Sequence, residues 1–170
     1  SKESFLQFIQ STGIPELYNL SNEELRYSFL FSLKDSILMR DVVKRFQVQN
    51  VDLLEKLFLF LSDNISNLFS LSSLVKKLHN VGIKTNPITL GNYIKYIENA
   101  FLIFGVDRYD IKGKRILEGE KKYYLNDLAF KNYLSSGFDY GLGKHLENYV
   151  YKLLRKHGYQ VYVGVINKNE

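Results

Sequence analysis

Residues Thr85–Tyr109 read TNPITLGNYIKYIENAFLIFGVDRY and change character partway along. Thr-Asn-Pro supplies a turn and a helix start, because the N–H that proline lacks would be unsatisfied in a first turn anyway. Ile88, Tyr93, Ile94, Ile97 and Phe101 then recur at helical spacing, which predicts one buried helix face. AFLIFGVDRY follows as an apolar, strand-like run. A helix leading into a strand is either an ordinary core element or part of a DNA-reading unit, and the flanking sequence bears on which.

Upstream, a short helix is expected through His79, with Ser70 or Ser72 as its cap, and Gly82 with KTNP makes a turn. Downstream, DIKGKRILEGE reads as an exposed hairpin tip and KKYYLNDLAF as a returning strand. The order is helix, turn, helix, strand, loop, strand, which is the order of a winged helix-turn-helix. In that plan the second helix lies in the major groove and the hairpin reaches the adjacent backbone. Thr89, Asn92, Lys95 and Tyr96 are expected to face outward on the second helix, with Lys84 just before it. Lys112, Lys114, Arg115, Lys121 and Lys122 stand on the hairpin. Lysine and arginine there suit phosphate contact, and Thr, Asn and Lys on the helix suit phosphates and base edges.

The first third reads as helical. SKESFLQFIQ is amphipathic and is broken by Gly13 and Pro15. In SNEELRYSFLFSLKDSILMRDVVKRFQ, Ser21 or Asn22 can cap and Glu23 and Glu24 suit the first turn. Leu25, Phe29, Leu33, Ile37 and Val43 are the expected buried row. Asp41 and Arg45 stand at i, i+4, the spacing of a helix ion pair. Val51–Leu61 is a further helix.

Composition bounds the alternatives. The 170 residues are 45% hydrophobic and 15% aromatic, ample for a core, and contain no cysteine, so no disulfide or thiolate metal site exists. No apolar run is long enough to span a bilayer and no signal peptide is visible, so a cytoplasmic location with no membrane partner is expected. The net charge is +5, and it is unevenly placed: residues 76–122 hold 10 Lys and Arg against 5 Asp and Glu. That local excess is the footprint of a polyanion-binding face. GFDYGLGKH is not a phosphate loop, because Phe138 stands where the first glycine is needed and His145 where Ser or Thr is needed. The three histidines are too scattered for a metal site.

The last third, GKHLENYVYKLLRKHGYQVYVGV, reads as a helix from about Lys144 to His157, a Gly158 stop and a strand, the opening of an α/β unit. Here a family resemblance extends along nearly the whole chain. TGIPEL, DSILMRDVVKRFQVQN, FSLSSLVKKL, TLGNYIKYIENAFLIFGVDRY, KKYYLNDLAF and GKHLENYVYKLLRKHGYQVYV together resemble the C-terminal region that follows the ATPase module in bacterial and archaeal AAA-type ATP-binding proteins, a domain of unknown function of the 4143 type. The resemblance implies an α+β, mainly α fold in three parts: a helical segment over residues 1–50 that links to the ATPase module, a winged helix over 51–130, and the truncated start of a restriction-endonuclease-like unit over 131–170. The absence of an initial Met fits an excised fragment. ATP and Mg²⁺ are expected only in the ATPase module, with no cofactor in this stretch. The last unit implies two candidate metal carboxylates, Glu147 and Glu170, whose remaining partners would lie beyond residue 170. The expected function is non-catalytic DNA binding for the ATPase. The alternatives are docking on the ATPase core and a part share in a metal-dependent nuclease.

Overall fold

A computed structural model describes residues 13–134 and 142–166. The N-terminal amphipathic segment and Glu170 lie outside those residues. After a 3₁₀ turn at Pro15–Asn19, helix α1 runs over Glu23–Ile37 and continues through a π-helical stretch, Leu38–Val43, into a last turn at Lys44–Phe46. Asn22 starts it, its side-chain oxygen accepting the Leu25 N–H at 2.8 Å.

The buried row of α1 is Leu30, Lys34, Leu38 and Val42, one position on from the expected Phe29, Leu33 and Ile37 and one before Val43. Leu25 is largely exposed, and Phe29, Leu33, Ile37 and Val43 only flank the core. Lys34 hides this row from a hydropathy reading. Its stem is buried while its ammonium sits 4.3 Å from the Phe31 ring centroid and 2.7 Å from the Asp35 carboxylate. The expected Asp41–Arg45 pair does not close to a salt bridge, because the wider π turn takes i and i+4 out of line, although the Arg45 charge still acts on Asp41. Asp41 instead takes two bonds from its neighbour Arg40, at 2.8 and 3.1 Å.

Helix α2 (Val51–Asp63) is the centre of the core, with Leu54, Leu57 and Phe58 fully buried. A three-residue strand, β1 (Leu68–Ser70), leads directly into α3 (Leu71–Asn80). Ser70 and Ser73 exchange side-chain-to-backbone bonds at that junction, a reciprocal capping box. Then follow α4 (Pro87–Asn99), β2 (Ile103–Asp110), β3 (Arg115–Leu125), α5 (Ala129–Leu134), α6 (Leu142–Lys156) and β4 (Val163–Val165). The chain is α+β, mainly helical, and among the described residues it has one mixed sheet ordered β1-β3-β2-β4. β3 is antiparallel to both β1 and β2, and β4 is parallel to β2.

Leu17, Leu30, Leu38 and Val42 share one hydrophobic cluster with residues of α2, α3, α4, β2, β3 and α5. The first helical segment and the helix-strand unit after it are therefore packed together. A smaller cluster of Val106, Tyr124 and Tyr151 joins β2 and β3 to α6.

On α4 the buried residues are Leu90, Tyr93, Ile94 and Ile97, and beyond it Leu102, Ile103 and Val106, while Ile88 is 78% and Phe101 67% exposed. Ile88 sits in the first turn, before the helix meets the core. Phe101 lies past the end, in a Schellman stop: its N–H bonds the Glu98 carbonyl and the Leu102 N–H bonds the Ile97 carbonyl. The same stop closes α3 at Gly82 and α6 at Gly158, but here the left-handed position, φ 56°, is held by phenylalanine. A Cβ in that conformation costs about 1–2 kcal/mol, and the exposed ring recovers little of it. Phe101→Gly is expected to stabilise the protein by roughly 0.5–1 kcal/mol, read as a higher urea midpoint with unchanged slope.

Candidate functional site

The turn between α3 and α4 is fastened at both ends. His79 Nε2 lies 3.0 Å from the Thr85 carbonyl oxygen and 3.2 Å from the Thr85 nitrogen. Asn86 caps α4 by accepting the Thr89 N–H at 2.9 Å. From this base Asn92 and Lys95 project as exposed residues on one face of α4, Lys84 is exposed in the turn, and Thr89 is half-buried. Tyr96 does not face outward as expected. Its ring stacks on Phe46 of α1, centroids 4.2 Å apart and planes 5° from parallel, so aromatic burial takes it into the core.

The β2–β3 hairpin is held by Asp110, only 6% exposed, whose Oδ1 accepts the Gly113 N–H at 2.9 Å. An added Cβ at Gly113 would fall on the Asp110 carboxylate, so the tip requires a glycine there. Lys112 and Lys114 are exposed at that tip and have no ion-pair partner among the described residues. Arg115 is 74% exposed, with Asp110 at 3.9 Å.

Lys121 and Lys122 stand differently. The β2–β3 register jumps, so that Asp107 faces Lys121 but Arg108 faces Leu117, and Glu118, Gly119 and Glu120 form a bulge in β3. Glu120 pairs with Arg108 across it. Lys121 is ion-paired to Asp107 at 3.0 Å, and Lys122, 21% exposed, donates to Glu147 of α6 at 2.8 Å. The ten predicted positive and polar positions thus divide. Lys84, Asn92, Lys95, Lys112, Lys114 and Arg115 present open groups, Lys121 and Lys122 are engaged in ion pairs, Thr89 is half-buried and Tyr96 packs on Phe46.

Glu147 Oε1 accepts from both Lys122 Nζ and the Tyr124 hydroxyl, the latter at 2.7 Å. Burial, and next the bond to Glu147, push the Tyr124 phenol well above its ordinary range. Glu147 therefore ties α6 to β3. Its intended partner Glu170 lies outside the described residues, and among those residues no group of three or more His, Asp or Glu could hold a metal.

Sequence reading missed the residue beside Glu147. Asn148, fully buried, accepts the Leu125 N–H at 2.8 Å and donates to the Leu125 carbonyl at 3.0 Å. It also missed Glu98, whose Oε1 accepts the Gly105 N–H at 2.7 Å. Burial raises the Glu98 pKa, partly offset by that bond and by the charge of Lys121. The other side of α6 is apolar yet open: Leu142, Leu146, Val150 and Leu153 are each 39–42% exposed. Among the described residues no helix is long and apolar enough to cross a membrane.

The chain is similar to an uncharacterized protein of Haemophilus influenzae, 30% identical over 158 residues that cover 93% of this chain and 39% of that one. An uncharacterized protein of Methanocaldococcus jannaschii is 29% identical over 153 residues, 90% of this chain and 34% of that one. The chain therefore spans little more than a third of the length of these relatives. No solved structure matches it. Residues 2–141 match the family described as Domain of unknown function (DUF8612), and the chain belongs to that family.

Proposed function

We propose that α2, β1, α3, α4 and the β2–β3 hairpin form a winged helix that binds DNA, with Thr89, Asn92 and Lys95 of α4 toward the groove and the hairpin tip on the backbone. The observation that carries this reading is the set of open cations. Lys84 and Lys95 on the helix pair and Lys112, Lys114 and Arg115 at the tip are all exposed, and among the described residues Arg115 alone of these has a carboxylate, 3.9 Å away. The order α2-β1-α3-α4-β2-β3, with β3 between β1 and β2, supports it as well. In the same proposal the chain is the non-catalytic C-terminal part of a longer cytoplasmic AAA-type ATP-binding protein, with ATP and Mg²⁺ held by a module elsewhere in that protein. The restriction-endonuclease-like reading of α6 and β4 stays within this proposal, with Glu147 cast as a structural tie.

Fluorescence anisotropy with labelled duplex across a salt series tests it. Replacing Lys112, Lys114 and Arg115 together by Ala removes up to three phosphate contacts. The log–log salt slope is then expected to become about 2–3 units shallower, at roughly 0.9 per contact. An unchanged slope, or no binding at low salt, rules the proposal out. A second reading, a docking module for the ATPase core or another partner, draws on the open apolar side of α6 at Leu142, Leu146, Val150 and Leu153.

A further inference from the structure

Between α3, α4 and β3 lies a cleft of about 490 Å³, within the size range of small-molecule sites. Its floor is apolar, made by Phe69, Leu71, Leu74 and Ile94. Gly91 on α4 and Gly119 in the β3 bulge leave its lips bare. Gly119 stands at φ 104°, a conformation that excludes most side chains, so the bulge that opens this edge depends on it.

The polar groups around this floor have open bonding capacity. Tyr123 is 6% exposed and lines the cleft, and its hydroxyl, which is not fully buried, takes no hydrogen bond among the described residues. Glu98 gives Oε1 to Gly105, while Oε2 has no donor among the described residues. Burial raises the pKa of both groups. Glu98 Oε2 is an open acceptor, so a ligand N–H placed against it would gain a charge-assisted bond. Lys95 has no ion pair among the described residues, and Lys121 gives Asp107 one of its three donors.

We infer that this cleft binds a nucleoside phosphate with an amino-bearing base. The base lies on the apolar floor, its exocyclic amine donates to Glu98 Oε2, and Lys95 and Lys121 hold the phosphate. A carboxylate accepts well from the N4 amine of cytosine, whereas uracil presents an oxygen at the same place. The ligand could be a free nucleotide or an unpaired nucleotide of a single strand. The single-strand source rests on the DNA-binding proposal above, and the free-nucleotide source does not.

The test is an NMR titration of ¹⁵N-labelled protein with cytidine monophosphate, uridine monophosphate and ribose 5-phosphate. Cytidine monophosphate is expected to shift the amides of Gly91, Gly105 and Gly119 saturably, binding about tenfold tighter than the other two. Glu98→Gln keeps an acceptor for the Gly105 N–H but turns an amide donor into the cleft, so the preference should move toward uridine. Lys95→Ala should weaken both nucleotides alike. Absence of saturable shifts at these glycines, equal affinity for ribose 5-phosphate, or an unaltered base preference in Glu98→Gln each overturns the inference. Displacement of cytidine monophosphate by an oligo-deoxycytidine octamer assigns the site to single strands, and lack of displacement assigns it to free nucleotide. Duplex binding without cytidine monophosphate binding removes the cleft and leaves the α4 reading intact. The reverse pattern removes the α4 reading and keeps the cleft.

Discussion

Phe58→Ala is expected to cost about 3–5 kcal/mol, the range for emptying a buried aromatic site. Phe58 is fully buried on α2, and its ring meets Phe130 of α5 edge-on, with centroids 5.6 Å apart. It lies in the cluster that also contains Leu30, Leu38 and Val42 of α1, so the loss is felt where three helices meet and no single side chain can swing in to fill the space. Phe58→Leu keeps an apolar side chain there and should cost much less, about 1–1.5 kcal/mol. Urea unfolding followed by tyrosine fluorescence or circular dichroism measures both. A cost below about 1 kcal/mol for the alanine variant would mean that this cluster is not the core of the folded chain.

Helix α4 was legible in the sequence because its signals are local. Asn86 caps, Pro87 takes the first turn, and Tyr93, Ile94 and Ile97 repeat on one face. The hairpin was legible in part: two strands flank a charged, glycine-containing tip, but Arg115–Glu120, read as part of that tip, belongs to β3, and Ala129 and Phe130, read as the end of the returning strand, stand in α5. β1 was not, because Leu-Phe-Ser is too short to show alternation and is a strand only by pairing with β3. α5, at six residues, gives too little periodicity to read. Buried Lys34 disguised the inner row of α1, and the π turn at Leu38–Val43 put Asp41 out of line with Arg45. The candidate interface was half legible. That Lys112 and Lys114 sit on a tip follows from local sequence, but the carboxylate that engages Lys122 is twenty-five residues away on α6. Pairing of that kind depends on tertiary placement and has no sequence period. Open cleft groups such as Glu98 Oε2 and the Tyr123 hydroxyl are likewise properties of what fails to approach them.

The attachment of α6 centres on the Asn148 amide, with His145 bonded to Asn132 and Ser66 to the Lys144 carbonyl nearby. Asn148 meets both polar backbone groups of Leu125, itself fully buried, and takes the place of a strand partner there. Around it, Tyr151 stacks on Tyr124 with centroids 4.3 Å apart, and Glu147 binds Lys122 and Tyr124. Asn148→Ala deletes two bonds and strands a buried N–H and a buried carbonyl, each worth about 1–3 kcal/mol when unsatisfied, so roughly 2–4 kcal/mol is lost. The Glu147 contacts are partly exposed, at 40% for that side chain, and Glu147→Ala should cost under about 1 kcal/mol. Because α6 sits in the smaller cluster with Val106 and Tyr124 and not in the main core, the loss is expected to be local. Amide hydrogen exchange across Leu142–Lys156 should accelerate by roughly 30- to 1,000-fold in Asn148→Ala, the equivalent of that free energy. The amides of Val51–Asp63 should keep their protection. Equal acceleration in both helices would instead make α6 part of one cooperative unit with α2, and no acceleration in either would show that the Leu125 backbone finds another partner.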